Sequence, residues 1–449
     1  MTRIATLSAL ALLAACSGGG DGDTKTVTNT VTNTQTNTVT NTITNDGEVD
    51  CTGSVCVLSG TLTDDLTLTA DTEWLLRGGV FIGDDVNATT LTIEPGTKIY
   101  GESSTDGMLV VRRSSRIVAD GTADAPIVFS SSKLEGERAR GDWGGLIING
   151  RAPINSCDEG GTGPCEAFGE GGTGFYGGDD PNDDSGVLRY VRVEFAGTLI
   201  SPDNELNGIA FQGVGAGTVI DHVQVHMNAD DGVEFFGGTA NAKHILVTGV
   251  GDDSLDWTDG WTGNIQFAVL QQYDDAGDQG IEADNNGEVN TATPKSNPTL
   301  SNVTVIGSPA SATSDIGILL REGTAASLHN IVVMGFNEAC LDIDSDESWN
   351  EAASGGLTIA NSLVDCSTPY LEDDGEPGLV ADWFLADTSN GEGSAGLADP
   401  YNLTSPDFTG SNVAGAVVPA DSFFDQVDFI GGVDPSDDWT AGWTTTAPN

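Results

Sequence analysis

Three stretches of the chain repeat one pattern at a fixed spacing, and that spacing restricts the fold more than any other feature. Val223 and Val225 alternate inward and are followed by Asp230-Asp231-Gly232 and Glu234. Ile245 and Val247 stand 22 residues on, ahead of Asp252-Asp253-Ser254 and Asp256. Phe267 and Val269 stand another 22 on, ahead of Asp274-Asp275-Ala276 and Asp278. A short apolar alternation is a strand signal, and the Asp/Gly cluster after it is a turn. A unit of this size cannot enclose a core alone. It buries its apolar face by stacking on the next unit, with neighbouring strands roughly 4.8 Å apart. Weaker copies follow at Asn302-Val303-Thr304-Val305, at Asn330-Ile331-Val332-Val333 with Glu338 and Asp342, and at Asn361-Ser362-Leu363-Val364.

The preceding body reads the same way. Leu91-Thr92-Ile93-Glu94-Pro95-Gly96-Thr97-Lys98-Ile99-Tyr100-Gly101 alternates and then turns, and Leu109-Val110-Val111, Ile117-Val118-Ala119 and Ile127-Val128-Phe129 follow at short intervals. Gly is 60 of 449 residues, about twice the ordinary ~7%. Such strands between tight turns suit a coil of parallel strands. They resemble the opening rungs of secreted right-handed parallel β-helix proteins. The expected fold is all-β: a right-handed single-stranded parallel β-helix with irregular loops and a C-terminal cap. Its expected divisions are a leader over 1–15, a lipidated Cys and tether over 16–50, the β-helix over 51–366, and an irregular acidic region with the cap over 367–449.

Acidic residues number 68 and basic residues 16, a formal charge of 16 − 68 = −52. Nucleic acid is thereby excluded as a partner, because phosphate binding needs clustered Lys and Arg. In the 22-residue register three acidic files stack. Asp230, Asp252 and Asp274 form the first. Asp231, Asp253 and Asp275 form the second, and Glu234, Asp256 and Asp278 the third. Like charges a few ångströms apart raise one another's pKa unless a cation separates them. Ca²⁺, which accepts six to eight oxygens in irregular geometry, is the expected occupant. The plainer alternative is a row of solvated turn aspartates.

Arg3 and the apolar run Ile4–Leu13 end in Leu13-Ala14-Ala15-Cys16. This resembles the lipobox of bacterial lipoproteins, which implies cleavage before Cys16 and its lipidation. Ser17 in place of Asp implies delivery to the outer membrane. The apolar run is too short to span a bilayer. A Thr/Asn repeat of period four follows, with Val27, Val31, Gln35, Val39 and Ile43 in phase. It suits neither a helix nor a heptad, and as a flexible tether it would reach about 30 Å. The expected location is therefore the outer membrane, anchored by lipid on the periplasmic face or cell surface.

Six cysteines remain, an even number that suits an oxidising compartment. Sequence proximity suggests Cys51–Cys56, Cys157–Cys165 and Cys340–Cys366.

Polysaccharide lyases on parallel β-helices pair acidic Ca²⁺ sites with a basic proton abstractor. Arg189, Arg192 and Arg321 are the candidates here, together with His226, which is expected on the outward side of its strand near Asp230. His222 and His244 fall at equivalent rung positions, matched by Asn302, Asn330 and Asn361, and are expected to bond turn backbone. His329 completes the four. The Gly-His-Gly and Arg-Ile-Lys motifs of polygalacturonases are absent, as are Gly-x-Ser-x-Gly and any phosphate loop.

Asp256-Trp257-Thr258-Asp259-Gly260-Trp261 recurs as Asp438-Trp439-Thr440-Ala441-Gly442-Trp443, and Gly141-Asp142-Trp143-Gly144-Gly145 opens another rung. Packing, with the last Trp pair covering the solenoid end, is favoured over sugar stacking. Together these segments resemble a group of bacterial cell-surface β-helix lipoproteins, over Leu58 to Trp443. That resemblance carries no catalytic residue across. Two acidic Gly-rich stretches, Ser156–Ser185 and Ser367–Asn412, interrupt the rungs and are expected on a binding face.

The expected role is a non-enzymatic, Ca²⁺-binding surface protein that holds a glycan, an envelope protein or another envelope component, and meets the membrane through its lipid. The alternatives are a Ca²⁺-dependent polysaccharide lyase or glycoside hydrolase, and a purely structural coat protein.

Overall fold

The computed structural model describes residues 28–29, 41–42, 47–157, 164–201, 205–372, 377–410 and 415–449. The chain divides into two units, 1–45 and 46–449. In the first, Thr28–Asn29 pairs antiparallel with Asn41–Thr42; Cys16 and the leader lie outside the described residues. The second is an all-β parallel β-helix. It opens slightly earlier than expected, with Glu48–Thr52 antiparallel to Val55–Leu62. No helix among the described residues is long and apolar enough to cross a membrane.

Two parallel ladders place everything that follows. One, the flank, runs through Gly186–Glu194, Val219–His226, Asn241–Thr248, Asn264–Gln271, Thr299–Ile306 and Ala326–Met334. The other runs through Gly145–Asn149, Ile209–Gln212, Val233–Phe236, Leu255–Thr258, Ile281–Ala283, Ile316–Leu320 and Ala339–Ile343. Alternation of side chains sends one residue in two to the interior. On the flank the inward file is Val223, Ile245, Ala268, Val303 and Ile331, all buried.

Each flank strand bends at one residue in the left-handed region: Tyr190, His222, His244, Phe267, Asn302 and Asn330 have φ between 50° and 64°. Asn tolerates this conformation better than most side chains. The expected equivalence of His222 and His244 with Asn302 and Asn330 is therefore seen, with Asn361 (φ 51°) at the same corner of the last coil.

The third 22-residue copy is corrected. Ile245 pairs with Ala268 and Val247 with Leu270, one residue later than the fixed period. Phe267 takes the corner of His244 instead of entering the core.

Tryptophan is used for packing. Trp143, Trp257 and Trp261 are fully buried, and Trp261 lies 4.2 Å from Phe235 in a stacked pair. Trp443 is buried too, but on the flank rather than at the solenoid end: its ring meets Tyr190 and His222 edge-on. The end is covered instead by α1 (Asp346–Ser354), which buries Trp349, and α2 (Val380–Leu385), which buries Phe384. The C-terminal segment then returns over the flank. Side-chain amides grip its backbone: Gln266 both donates to Asp425 O and accepts from Asp425 N, each at 2.8 Å. Gln224 does the same to Thr445, also at 2.8 Å.

The three disulfides are Cys51–Cys56, Cys157–Cys165 and Cys340–Cys366, the pairings that sequence proximity suggests.

Candidate cation-binding groove

The outer face of the second ladder carries the acids. In Val233–Phe236, Leu255–Thr258 and Ile281–Ala283 the inward residues are Val233 and Phe235, Leu255 and Trp257, Ile281 and Ala283. The residues between them point outward, and the register sets Glu234 opposite Asp256 and Asp256 opposite Glu282. The preceding turns stack as well: Gly232 N donates to Asp253 O, Ser254 N to Gln279 O, and Asp278 N to Asp252 O. The three files are thus Asp230, Asp252 and Asp278; Asp231, Asp253 and Gln279; Glu234, Asp256 and Glu282.

Asp274 and Asp275 do not join them, and Asp278 stands in the first file, not the third. The turn between Gln271 and Ile281 is longer than its predecessors, so the fixed period overshoots. Asp275 swings out to a bidentate pair with Arg140, 2.9 Å at both contacts, and Asp274 accepts from Ser308 Oγ at 2.6 Å. Glu282 was missed. The signal was present as Asp278-Gln279-Gly280-Ile281-Glu282, which repeats Asp230-Asp231-Gly232-Val233-Glu234 with a variable gap.

The close stacking explains the turn glycine. A Cβ on Gly232 would meet Val247 Cγ1 at 2.4 Å and Ser254 O at 2.5 Å. Backbone amides orient the second file: Asp253 N donates to Asp231 Oδ1 at 3.0 Å, and Gln279 N to Asp253 Oδ1 at 2.6 Å. Ligand oxygens then converge in four groups, each within 4.8 Å: Asp230, Asp231 and Asp252; Asp231, Glu234 and Asp256; Asp252, Asp253 and Asp278; Asp253, Asp256 and Glu282.

Burial, and then neighbouring carboxylates, push Asp231, Glu234, Asp253 and Asp256 well above the carboxylate range. The same two causes take Asp230 to about 7 and Asp278 to about 6. Glu282 also reaches about 7, by burial against the opposing pull of Arg321. Asp252 is raised by burial and by Glu205. Without a counter-charge Asp230 and Glu282 titrate near neutral pH, and their buried neighbours Asp231, Glu234, Asp253 and Asp256 favour the protonated form.

The surroundings fit a cation. Asp256 is 9% exposed and its Oδ1 has no hydrogen-bond partner. Asn207 Oδ1, Asn228 Oδ1 and Ser254 Oγ are buried acceptors in the same condition. Asn207 spends its amide on Glu234 Oε2, and Asn228 its amide on Asp231 O. An unpaired buried oxygen among converging acids, such as Asp256 Oδ1, is what a hard divalent ion satisfies. The stretch 164–178 borders the groove. Its Tyr176 packs on Phe236 and donates to Asp259 Oδ2 at 2.8 Å.

The basic candidates are already engaged, and Arg321 is engaged beside the acidic files themselves. Arg321 is held by Glu282 (2.6 Å) and Asp284 (2.9 Å), which together outweigh burial and raise its pKa. Arg189 pairs with Asp120, and Arg192 with Glu194 and Trp443 O. His226 does not face a ligand beside Asp230. It is fully buried beneath the C-terminal segment, with Nδ1 on Thr248 Oγ1 and Nε2 on Ala447 O, each at 2.7 Å. Burial lowers its pKa to about 4. His329 Nδ1 is buried without a hydrogen-bond partner.

The sequence pattern of the pectate-lyase-like β-helix domain matches residues 60–444. No curated protein matches the sequence. Among solved structures, the crystal structure of the Dettilon tailspike protein aligns at 10% identity with a TM-score of 0.25. The alignment covers 76% of this chain and 62% of the tailspike, so the chain spans less than two thirds of that protein's length.

Proposed function

The chain belongs to the pectate-lyase-like β-helix domain family, and from that premise we propose a lipid-anchored protein of the outer membrane or cell surface. It binds a glycan or another envelope component beside a Ca²⁺-loaded acidic groove and does not cut what it binds. The observation that carries this reading is the convergence of stacked, buried carboxylates in four groups, with Asp256 Oδ1 left without a hydrogen-bond partner. Asp230, Asp231, Glu234, Asp252, Asp253, Asp256, Asp278 and Glu282 would hold the ions. Bound Ca²⁺ would supply positive charge where the bare surface repels anions. The half-exposed first file would face solvent and the ligand. The anchor rests on the Cys16 lipobox, and three disulfides suit an exported protein.

A binding role is favoured over lysis because each basic candidate is already engaged. A proton abstractor must reach the substrate, and Arg321 in two ion pairs cannot do so without breaking them. The test uses protein lacking residues 1–16, with Ca²⁺ or chelator, against a panel of polysaccharides. Retention that depends on Ca²⁺ without new sugar ends supports binding. New sugar ends would overturn it in favour of a Ca²⁺-dependent lyase or hydrolase. No retention on any polymer would leave a coat protein.

A further inference from the structure

A second cluster of ligand atoms lies on the flank, away from the groove. His222 and His244 sit at the same corner of successive coils, their rings stacked with centroids 4.1 Å apart. Both present Nδ1 to one atom, Asp221 Oδ1, at 2.9 Å and 2.7 Å. This differs from the rest of the file. Asn302 and Asn330 use the same corner to grip the backbone of the C-terminal segment, at Phe429 O and Val417 O. The histidines instead converge on a carboxylate, while Trp439 and Trp443 close over their rings edge-on. Tyr190 and Phe267 complete the stack on either side.

We propose that Asp221, His222 and His244 form a metal site for a borderline divalent transition-metal ion, Zn²⁺ or Cu²⁺, separate from the oxygen-only groove. The three donor atoms lie within 4.8 Å of one another. Two imidazole nitrogens and one carboxylate oxygen suit Zn²⁺ and Cu²⁺, whereas Ca²⁺ prefers oxygen throughout. Both rings aim at the point that Oδ1 now holds. An ion there, with the carboxylate turned aside, needs each ring to close by about 0.7 Å to reach a metal–imidazole bond.

The neighbouring charges permit this. Arg189 Nε stands 3.8 Å from Asp221 Oδ2, but Arg189 is paired with Asp120, and Lys243 is drawn off to Asp425. A bound ion would fix both rings beneath the two tryptophans and so pin the C-terminal segment across two coils.

The experiment uses the whole protein, saturated with Ca²⁺ so that the groove is filled. Zn²⁺ is titrated by calorimetry, and Cu²⁺ is added for electron paramagnetic resonance. The expected result is one Zn²⁺ per chain and a Cu²⁺ spectrum split by two nitrogens. The double variant His222→Asn, His244→Asn puts at both corners the residue the fold uses at 302 and 330. It should weaken Zn²⁺ binding by about 100-fold or more. Asp256→Asn should leave Zn²⁺ binding unchanged, so failure of the Ca²⁺ reading and failure of this one are distinguishable. An oxygen-only Cu²⁺ spectrum, or uptake unchanged in the double variant, would overturn the proposal. The Cu²⁺ spectrum of the unaltered protein decides it even if the variant does not fold.

Discussion

Glu234 and Asp256 face each other across one coil of the helix, paired in register and both closed off from water. Two acids in that position cannot both ionise without a cation. Proton content and metal content are therefore linked, and the sign of the linkage is fixed. The folded-state pKa values of Asp230 and Glu282 stand at about 7, above the ~4 of an unfolded chain. In chelator their stabilising contribution is complete below pH ~4 and is lost as pH rises to 7. Ca²⁺ restores it. The gain in melting temperature from Ca²⁺ should grow from pH 5 to pH 7.5, reaching several degrees. His226 has a depressed pKa and acts in the opposite sense, but it contributes equally with and without Ca²⁺ and cancels in the difference. A gain that does not change with pH would contradict the linkage.

Asp256→Asn separates repulsion from coordination. Near neutral pH the chelated protein should become more stable by about 1 kcal/mol, since Asn, unlike a buried Asp, need not take up a proton on folding. Ca²⁺ affinity should fall at least about tenfold, roughly 1.4 kcal/mol. Glu282→Gln should act in the same direction. Asp275→Asn should leave Ca²⁺ binding intact and cost about 0.2–1 kcal/mol through its exposed pair with Arg140. Equal effects at 256 and 275 in Ca²⁺ calorimetry would restore the fixed 22-residue register.

Gly232→Ala should destabilise the protein by about 2–3 kcal/mol, because the added methyl meets Val247 and Ser254 at less than contact distance. Denaturant unfolding measures it. A cost below 0.5 kcal/mol, about the noise of a surface change, would mean that the coils can spread locally.

Gln224→Ala removes both bonds to Thr445. A loss of about 1–2 kcal/mol confined to the tail is expected. Carboxypeptidase should trim the last residues faster while circular dichroism of the solenoid is unchanged. Loss of the whole β signal would show that the tail is needed for the fold itself.

Much of this architecture was legible because apolar alternation and turn chemistry obey short-range rules. Val223 and Ile245 fall where the period places them, and the corner shared by His222, His244, Asn302 and Asn330 is readable from the valine and isoleucine pairs beside it. The period failed at Phe267 because a coil tolerates an extra residue at a corner without losing its inward file. It failed again at Asp274 and Asp275 because turn length is free to vary while the Gly-x-Glu that re-enters the ladder is not. His226 was misplaced for a different reason. Its strand position is outward, as expected, but what covers an outward face depends on residues 221 positions away, and no local pattern encodes that.

The same separation has a consequence for how the molecule is made. A β-helix can add coils in the order its chain emerges, each new one templated by the last. Here Gln224 and His226 wait for Thr445 and Ala447, 221 residues further along. Until then the outer face of a finished middle coil offers side-chain amides and the free Nε2 of an imidazole to whatever is nearby. A late segment covers a wall built long before it, so a product truncated ahead of that segment would be recognisable from its side rather than from its end.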